Sequence, residues 1–275
     1  MTLPNLPSLL AAVTAILTQA VTLANSRRPT DASKKAHQDY VTDVDLAVDA
    51  FLEQHLGALI PDCPVLSEER AVAVTGSLPR YWIVDPIDGT MNLLAGLPFV
   101  GICVALADST GPQLAAVASL SDGVIYSAIR DHGAFRNGQP LQLTANPCDL
   151  IVLSTGLLDL LIAAHGPAYT ALRRIGKIRN LGAQALHLCG VASGQFAAVA
   201  SLEARLWDEA AGGLILREAG GHWLAASDHA DWAQPQVMMA IREQRSIAAH
   251  PAVLNAMRNA LDPVFASPPN ASPRL

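Results

Sequence analysis

The sequence predicts a mixed α/β protein in two unlike halves, because its middle and its C-terminal part carry different rhythms. In the middle, strand-like runs at residues 98–107, 113–120 and 124–130 are joined by tight-turn signals at Ser121-Asp122-Gly123 and Asn137-Gly138, the pattern of an antiparallel meander. From Ile151 onward, strand candidates at 151–155, 177–180, 196–201 and 237–241 alternate with helical stretches at 157–175, 183–193 and 208–219. That alternation predicts a second, smaller α/β layer system. The halves are residues 1–145, α+β with a mostly antiparallel sheet, and 146–265, while the Pro- and Ser-rich stretch 266–275 reads as a disordered tail.

The N-terminal elements follow from periodicity and capping. Residues 9–23 are apolar, but no Lys or Arg precedes them and Thr14, Thr18, Gln19 and Thr22 interrupt them. The spacing Leu9/Leu10, Val13, Ile16/Leu17, Ala20/Val21, Ala24 predicts an amphipathic helix rather than a signal peptide. No other stretch is long and apolar enough to span a bilayer, so no membrane partner is expected. A polar connection at 25–39, rich in Ser, Lys and Arg, reads as exposed. Thr42-Asp43-Val44-Asp45 then fits a capping pattern, and Leu46, Ala50, Phe51 and Ile60 continue a helix to about Pro61 with Asp45 in its first turn.

Composition narrows the function classes. A chain of 275 residues with 51% hydrophobic content buries a large core. Its net charge of −6 and dispersed Lys and Arg give no footprint for a nucleic-acid backbone, so no nucleic-acid partner is expected. An anionic substrate would need local neutralisation, which a bound cation supplies. Cys63, Cys103, Cys148 and Cys189 are widely spaced, without a CxxC pair, and read as small buried hydrophobes in a reducing, cytoplasmic compartment.

The chemistry concentrates in Asp85-Pro86-Ile87-Asp88-Gly89-Thr90, just after the aromatic and β-branched strand Tyr81-Trp82-Ile83-Val84. Two carboxylates lie three residues apart on a loop stiffened by Pro86 and turned by Gly89. Held close, they repel unless a cation compensates them. The amides of Gly89 and Thr90, opening a helix, would cradle an anion such as a phosphate. Taken alone, the pattern is equally that of a turn aspartate and an N-cap.

The full segment from Trp82 to Thr90 resembles the signature of the inositol monophosphatase family of metal-dependent, lithium-sensitive phosphatases. Val65-Leu66-Ser67-Glu68-Glu69 is similar to that family's acidic motif, and Trp207-Asp208-Glu209-Ala210-Ala211-Gly212 with Glu218-Ala219-Gly220-Gly221 to its C-terminal motif. The resemblance implies a layered α-β-α-β-α sandwich, often a homodimer, that hydrolyses a small phosphate ester. It further implies Glu68, Asp85, Asp88 and Asp208 as carboxylate ligands and Ile87 as a carbonyl ligand. These hard oxygen donors suit Mg²⁺ rather than zinc, about two or three ions in all, which activate a water and stabilise the leaving oxygen. Glu68 and Thr90 would position or deprotonate that water, with Asp45 bonded to Thr90, so that water attacks phosphorus without a phospho-enzyme. Lys34 corresponds to the neighbourhood of a third, weakly held ion.

Neighbouring residues have plainer readings. Glu69 is a solvated neighbour, Asp43 an N-terminal helix charge, His187 and His222 core or surface histidines, and Trp82 and Trp207 packing anchors. Substrate signals conflict. Asn92 and Leu97-Pro98-Phe99 look like the inositol branch, whereas Pro64 to Glu69 and Tyr81-Trp82 look like the 3′-phosphoadenosine 5′-phosphate phosphatases. Ser201 stands where many inositol phosphatases carry a substrate-binding Glu, with Glu203 nearby, and Gln184 replaces a small residue. Gln184, Ser201, Glu203, Arg205 and Asp88 are the candidate substrate contacts. Inositol 1-phosphate is the first expectation, a nucleotide or sugar phosphate the second, and a non-catalytic phosphometabolite binder the third.

Overall fold

The computed structural model describes residues 5–36, 39–70, 76–225, 232–235 and 244–266. Helix α1 (Leu6–Asn25) buries Leu9, Leu10, Val13, Ile16, Leu17, Ala20, Val21 and Ala24, the stripe that its spacing predicts. Length and composition alone would let α1 cross a bilayer, yet this stripe is packed inside the protein. Its partner α2 (Asp43–Leu59) starts at a Thr42 capping box, in which Asp45 accepts from the Thr42 amide over 3.0 Å.

Both helices lie on a seven-stranded sheet ordered as in the sequence: β3 (Val65–Ser67), β4 (Arg80–Asp88), β5 (Gly101–Asp108), β6 (Gly111–Ser119), β7 (Ile125–Ile129), β8 (Ala134–Arg136) and β9 (Gln139–Leu141). All neighbours are antiparallel except β3 and β4. Strand alternation divides the core in two. Trp82, Val84, Ile102, Val104 and Leu106 face α1 and α2, whereas Tyr81, Ile83, Cys103, Ala105 and Ala107 face the molecular centre. Each large side chain buried this way contributes about 1.5–3 kcal/mol.

The centre is filled by α6 (Gln184–Ala192) and α7 (Leu206–Glu218), packed between the first sheet and a second. Here a glycine decides the spacing, because a Cβ on Gly213 would lie 2.3 Å from the Trp223 ring. The second sheet has the order β11 (Lys177–Arg179), β10 (Leu150–Leu153), β12 (Ala198–Ala204), β14 (Gln244–Ala249) and β13 (His222–Ala225). Its far face, with Ile151, Leu153, Ala200 and Ile247, is covered by α4 (Thr155–Ala164), α5 (Gly166–Ile175) and α8 (Pro251–Phe265). The layers therefore run helix, sheet, helix, sheet, helix, as the resemblance implies.

Several expectations change. The polar connection at 25–39 contains β1 (Ala32–Ala36), antiparallel to β2 (Asp39–Thr42). The helical stretch at 157–175 is two helices, divided at His165 ahead of Pro167, which fits a first turn but not a helix interior. Strand β4 runs on through Asp88 instead of ending at Val84, with a register shift between Asp85 and Asp88. The expected strand at 237–241 and the tail beyond residue 266 lie outside the described residues. All four cysteines are free, and three are buried.

Candidate metal centre

Three elements bring carboxylates together. The parallel register of β3 and β4 pairs Ser67 with Val84, so the next residues, Glu68 just past the end of β3 and Asp85 still within β4, lie side by side. Asp208 arrives from the first turn of α7, where its Oδ2 accepts the Arg205 amide over 2.7 Å. Ligand oxygens of Glu68, Asp85 and Asp208 lie within 4.8 Å of one another.

Their electrostatics call for a cation. Burial pushes the Asp85 carboxyl well above the usual range, and the charges of Glu68, Asp88 and Asp208 push it further. Asp208 is raised by burial and then by Glu68 and Asp88. Burial likewise lifts Asp88 to about 7, although amides of α6 work against it. An all-carboxylate, mutually repelling set with no His or Cys fits a hard divalent ion such as Mg²⁺.

Asp88 takes a second task. Its two oxygens accept the amides of Gln184 over 3.0 Å and Ala185 over 2.7 Å, so it caps α6 across the junction of the two halves. Each oxygen keeps a further lone pair for a ligand. Asn92 reinforces the same junction, donating to Phe99 over 2.7 Å and to Leu181 over 2.6 Å. Between them Gly89 adopts φ 99°, and a Cβ there would meet the Phe99 carbonyl at 3.0 Å and the Gly182 carbonyl at 3.2 Å. The turn thus requires glycine on both conformational and steric grounds.

Thr90 opens α3 (Thr90–Ala95), and its hydroxyl lies 2.9 Å from Asp45 Oδ1 and 3.2 Å from the Ile87 carbonyl. One hydroxyl has one proton, and the shorter, charge-assisted bond to Asp45 is the stronger. Asp45 is fully buried, which raises its pKa, while its Thr42 and Thr90 contacts pull it down. The expected Asp45–Thr90 pair is therefore present.

The candidate substrate contacts make bonds within the protein or lie beside the carboxylates. Ser201 is buried and accepts the amides of Glu203 and Ala204 at 3.3 and 3.1 Å. Glu203 turns to the start of α4, where it accepts the Gly156 amide over 2.6 Å. Gln184 donates from Nε2 to Glu209 over 2.8 Å, and its Oε1 lies 3.3 Å from His187 Nδ1. Arg205, half-buried, precedes α7 beside Asp208. Lys34 lies exposed in β1.

One buried group escapes the sequence reading. Glu209, with no exposed surface, accepts from Gln184, from Trp223 Nε1 over 3.2 Å, from Gln244 Nε2 over 2.5 Å and from Ser246. Its donors are scattered from Gln184 to Ser246, so the motif that contains Glu209 does not disclose this buried role. His187 is buried as a core histidine, stacked on Phe99 and held neutral by burial, its pKa lowered to about 3. Trp82 is fully buried, and Trp207 packs against the central core.

Comparison with known proteins follows the same lines. The profile of the inositol monophosphatase family matches residues 6–261. Nus factor SuhB of Salmonella typhimurium is 33% identical over 199 residues, covering 70% of this chain and 73% of that protein. Inositol monophosphatase 3 of Solanum lycopersicum is 33% identical over 197 residues, covering 68% and 74%. Among solved structures, the Thermotoga maritima IMPase superposes with a TM-score of 0.79 at 24% identity, covering 94% of this chain and 98% of that one. An IMPase/NADP phosphatase complexed with Mg²⁺ and phosphate gives 0.75 at 23% identity, covering 93% and 94%. With the profile spanning nearly the whole chain, and relatives at this identity over two thirds of it, the chain belongs to the inositol monophosphatase family.

Proposed function

We propose that this protein is a Mg²⁺-dependent phosphomonoesterase that hydrolyses a small phosphorylated polyol by direct attack of water, with inositol 1-phosphate the first candidate. The observation that carries the reading is the convergence of Glu68, Asp85 and Asp208, from both halves of the chain, beside the Thr90–Asp45 pair. Glu68, Asp85, Asp208, the Ile87 carbonyl and the free lone pairs of Asp88 would hold the ions. Bound Mg²⁺ supplies Lewis acidity toward the phosphoryl oxygens and a water acidic enough to react near neutral pH.

The protein's own groups do the rest. With its hydroxyl proton donated to Asp45, the Thr90 oxygen would offer a lone pair to a water that Glu68 also positions. A proton leaving that water passes to Thr90 as Thr90 passes its own to Asp45, which burial has made more basic than an ordinary aspartate. The amides of Gly89 and Thr90 would receive phosphate oxygens at the opening of α3.

A second reading within the same chemistry is favoured by one observation: Ser201, Glu203 and Gln184 spend their polar groups on the protein. Without them the polyol side has fewer acceptors for inositol hydroxyls, which supports a sugar phosphate or 3′-phosphoadenosine 5′-phosphate instead. A non-enzymatic role, raised by relatives named Nus factor, is opposed by retention of every proposed ligand. The free cysteines support a cytoplasmic location, and a homodimer is part of the reading. Phosphate release from a panel of inositol 1-phosphate, sugar phosphates and 3′-phosphoadenosine 5′-phosphate tests all this. Turnover of at least one ester in Mg²⁺ is expected, its rank naming the branch. No turnover on the whole panel by protein that binds Mg²⁺ would sink both enzymatic readings.

A further inference from the structure

Helix α2 reaches the site twice. Asp45 in its first turn holds Thr90, and Asp49, one turn later on the same face, holds the segment carrying Glu68. Asp49 is 4% exposed. Its Oδ1 accepts the Ser67 hydroxyl over 2.5 Å and Arg70 Nη2 over 3.1 Å. Arg70 Nε lies 2.7 Å from Oδ2 but is poorly aligned for a hydrogen bond, so the Nη2 contact and the charge attraction hold the arginine. Nη1 of Arg70 also meets Glu53, one turn further along α2.

Ser67 and Arg70 bracket Glu68 in sequence. Behind Glu68 the Ser67 side chain is tied to α2, and ahead of it the Arg70 side chain is tied to the same carboxylate. The Arg70 amide closes a turn to the Ser67 carbonyl over 3.4 Å, and the Glu68 amide donates to the Val84 carbonyl over 3.2 Å. A short turn fastened at both ends has little freedom to rotate its middle residue. Charge-assisted bonds in a buried place are the strong kind, and losing one partner there exposes the other to an unpaired burial cost.

We propose that Asp49 is a positioning residue for Glu68, and that α2 fixes Glu68 and Thr90 in mutual register as one rigid element. The proposal rests on the phosphatase reading for what Glu68 and Thr90 do, but the clamp is a statement about geometry. The proposal gives Asp49, Ser67 and Arg70 no contact with substrate. Their effect is transmitted only through the direction of the Glu68 carboxylate.

The test uses Asp49→Asn, Ser67→Ala and the double variant in the full chain, with folding checked by circular dichroism and Mg²⁺ binding measured by calorimetry. Partners of ligand residues are typically worth about 10–100-fold, so Asp49→Asn is expected to weaken Mg²⁺ binding and lower kcat by about tenfold or more, with KM little changed. Ser67→Ala loses less, and the double variant falls no further than Asp49→Asn, because both act through one clamp. Asp49→Glu recovers part of the loss. Unchanged Mg²⁺ binding and kcat in folded Asp49→Asn, or multiplicative losses in the double variant, would overturn the proposal. If the wild type hydrolyses no ester, the phosphatase reading fails while calorimetry still decides the clamp. Should Asp49→Asn not fold, Arg70→Met combined with Ser67→Ala carries the same non-additivity test.

Discussion

Asp88 joins the proposed metal centre to the architecture in a single side chain. Buried among other carboxylates it is raised to about 7, while the amides of α6 hold it in place. Asp85 and Asp208 are raised by the same burial and mutual repulsion. A carboxyl with a raised folded pKa binds its proton more tightly folded than unfolded, so its stabilising share is present at low pH and is lost as pH rises toward the folded value. Metal-free protein is therefore expected to melt at progressively lower temperature as pH rises from about 4 to about 7, with the depressed His187 offsetting part of the fall below about pH 6.5, and saturating Mg²⁺ should reduce it. Calorimetric scans in EDTA and in Mg²⁺ check this, and a rise of melting temperature with pH in EDTA would count against it. The convergence of Glu68, Asp85 and Asp208 was legible because they sit in contiguous motifs whose proline, glycine and paired aspartates each have a physical reason. Gln184, Ser201 and Glu203 were less so, since sequence position does not say which way a polar side chain turns.

Among the elements, α1 was readable in its buried stripe and α2 in its capping box, but the series Leu46, Ala50 and Phe51 marks the wrong face of α2, for Leu46 is 53% exposed and the buried stripe is Val44, Val48, Leu52 and Leu56. The hairpin of β1 and β2 was not, because Ser33, Lys34 and Lys35 lack the alternation of a strand with one buried face. Nor was the break at His165, where apolar periodicity runs through two helices in succession. The least visible feature is Glu209, which ties α7 to α6 through Gln184, to β13 through Trp223, and to β14 through Gln244 and Ser246. Removing its carboxylate strands three buried donors and the half-buried Gln184 amide at once. Glu209→Ala is expected to cost on the order of 3 kcal/mol or more, read as a lowered urea midpoint at unchanged slope, with Glu209→Gln intermediate. A Glu209→Ala midpoint equal to wild type would contradict that role.

At the scale of the whole molecule, the layered order sets where chemistry can occur. Strand β4 carries Asp85 and Asp88 at its C-terminal end, and the central helices α6 and α7 point their N-termini there. Carboxylates far apart in the sequence therefore converge, Glu68 and Asp85 from its first third and Asp208 from its last third. Asp208 is the residue on which this depends, the single member of the close trio that comes from the C-terminal half. The direct measurement is Mg²⁺-dependent phosphate release from inositol 1-phosphate by wild type and Asp208→Asn, both confirmed as folded. The account predicts turnover by the wild type that is lost in EDTA, and a fall of about a hundredfold or more in Asp208→Asn, the upper range for groups that orient a metal. A folded Asp208→Asn with wild-type turnover, or wild-type turnover undiminished in EDTA, would contradict it.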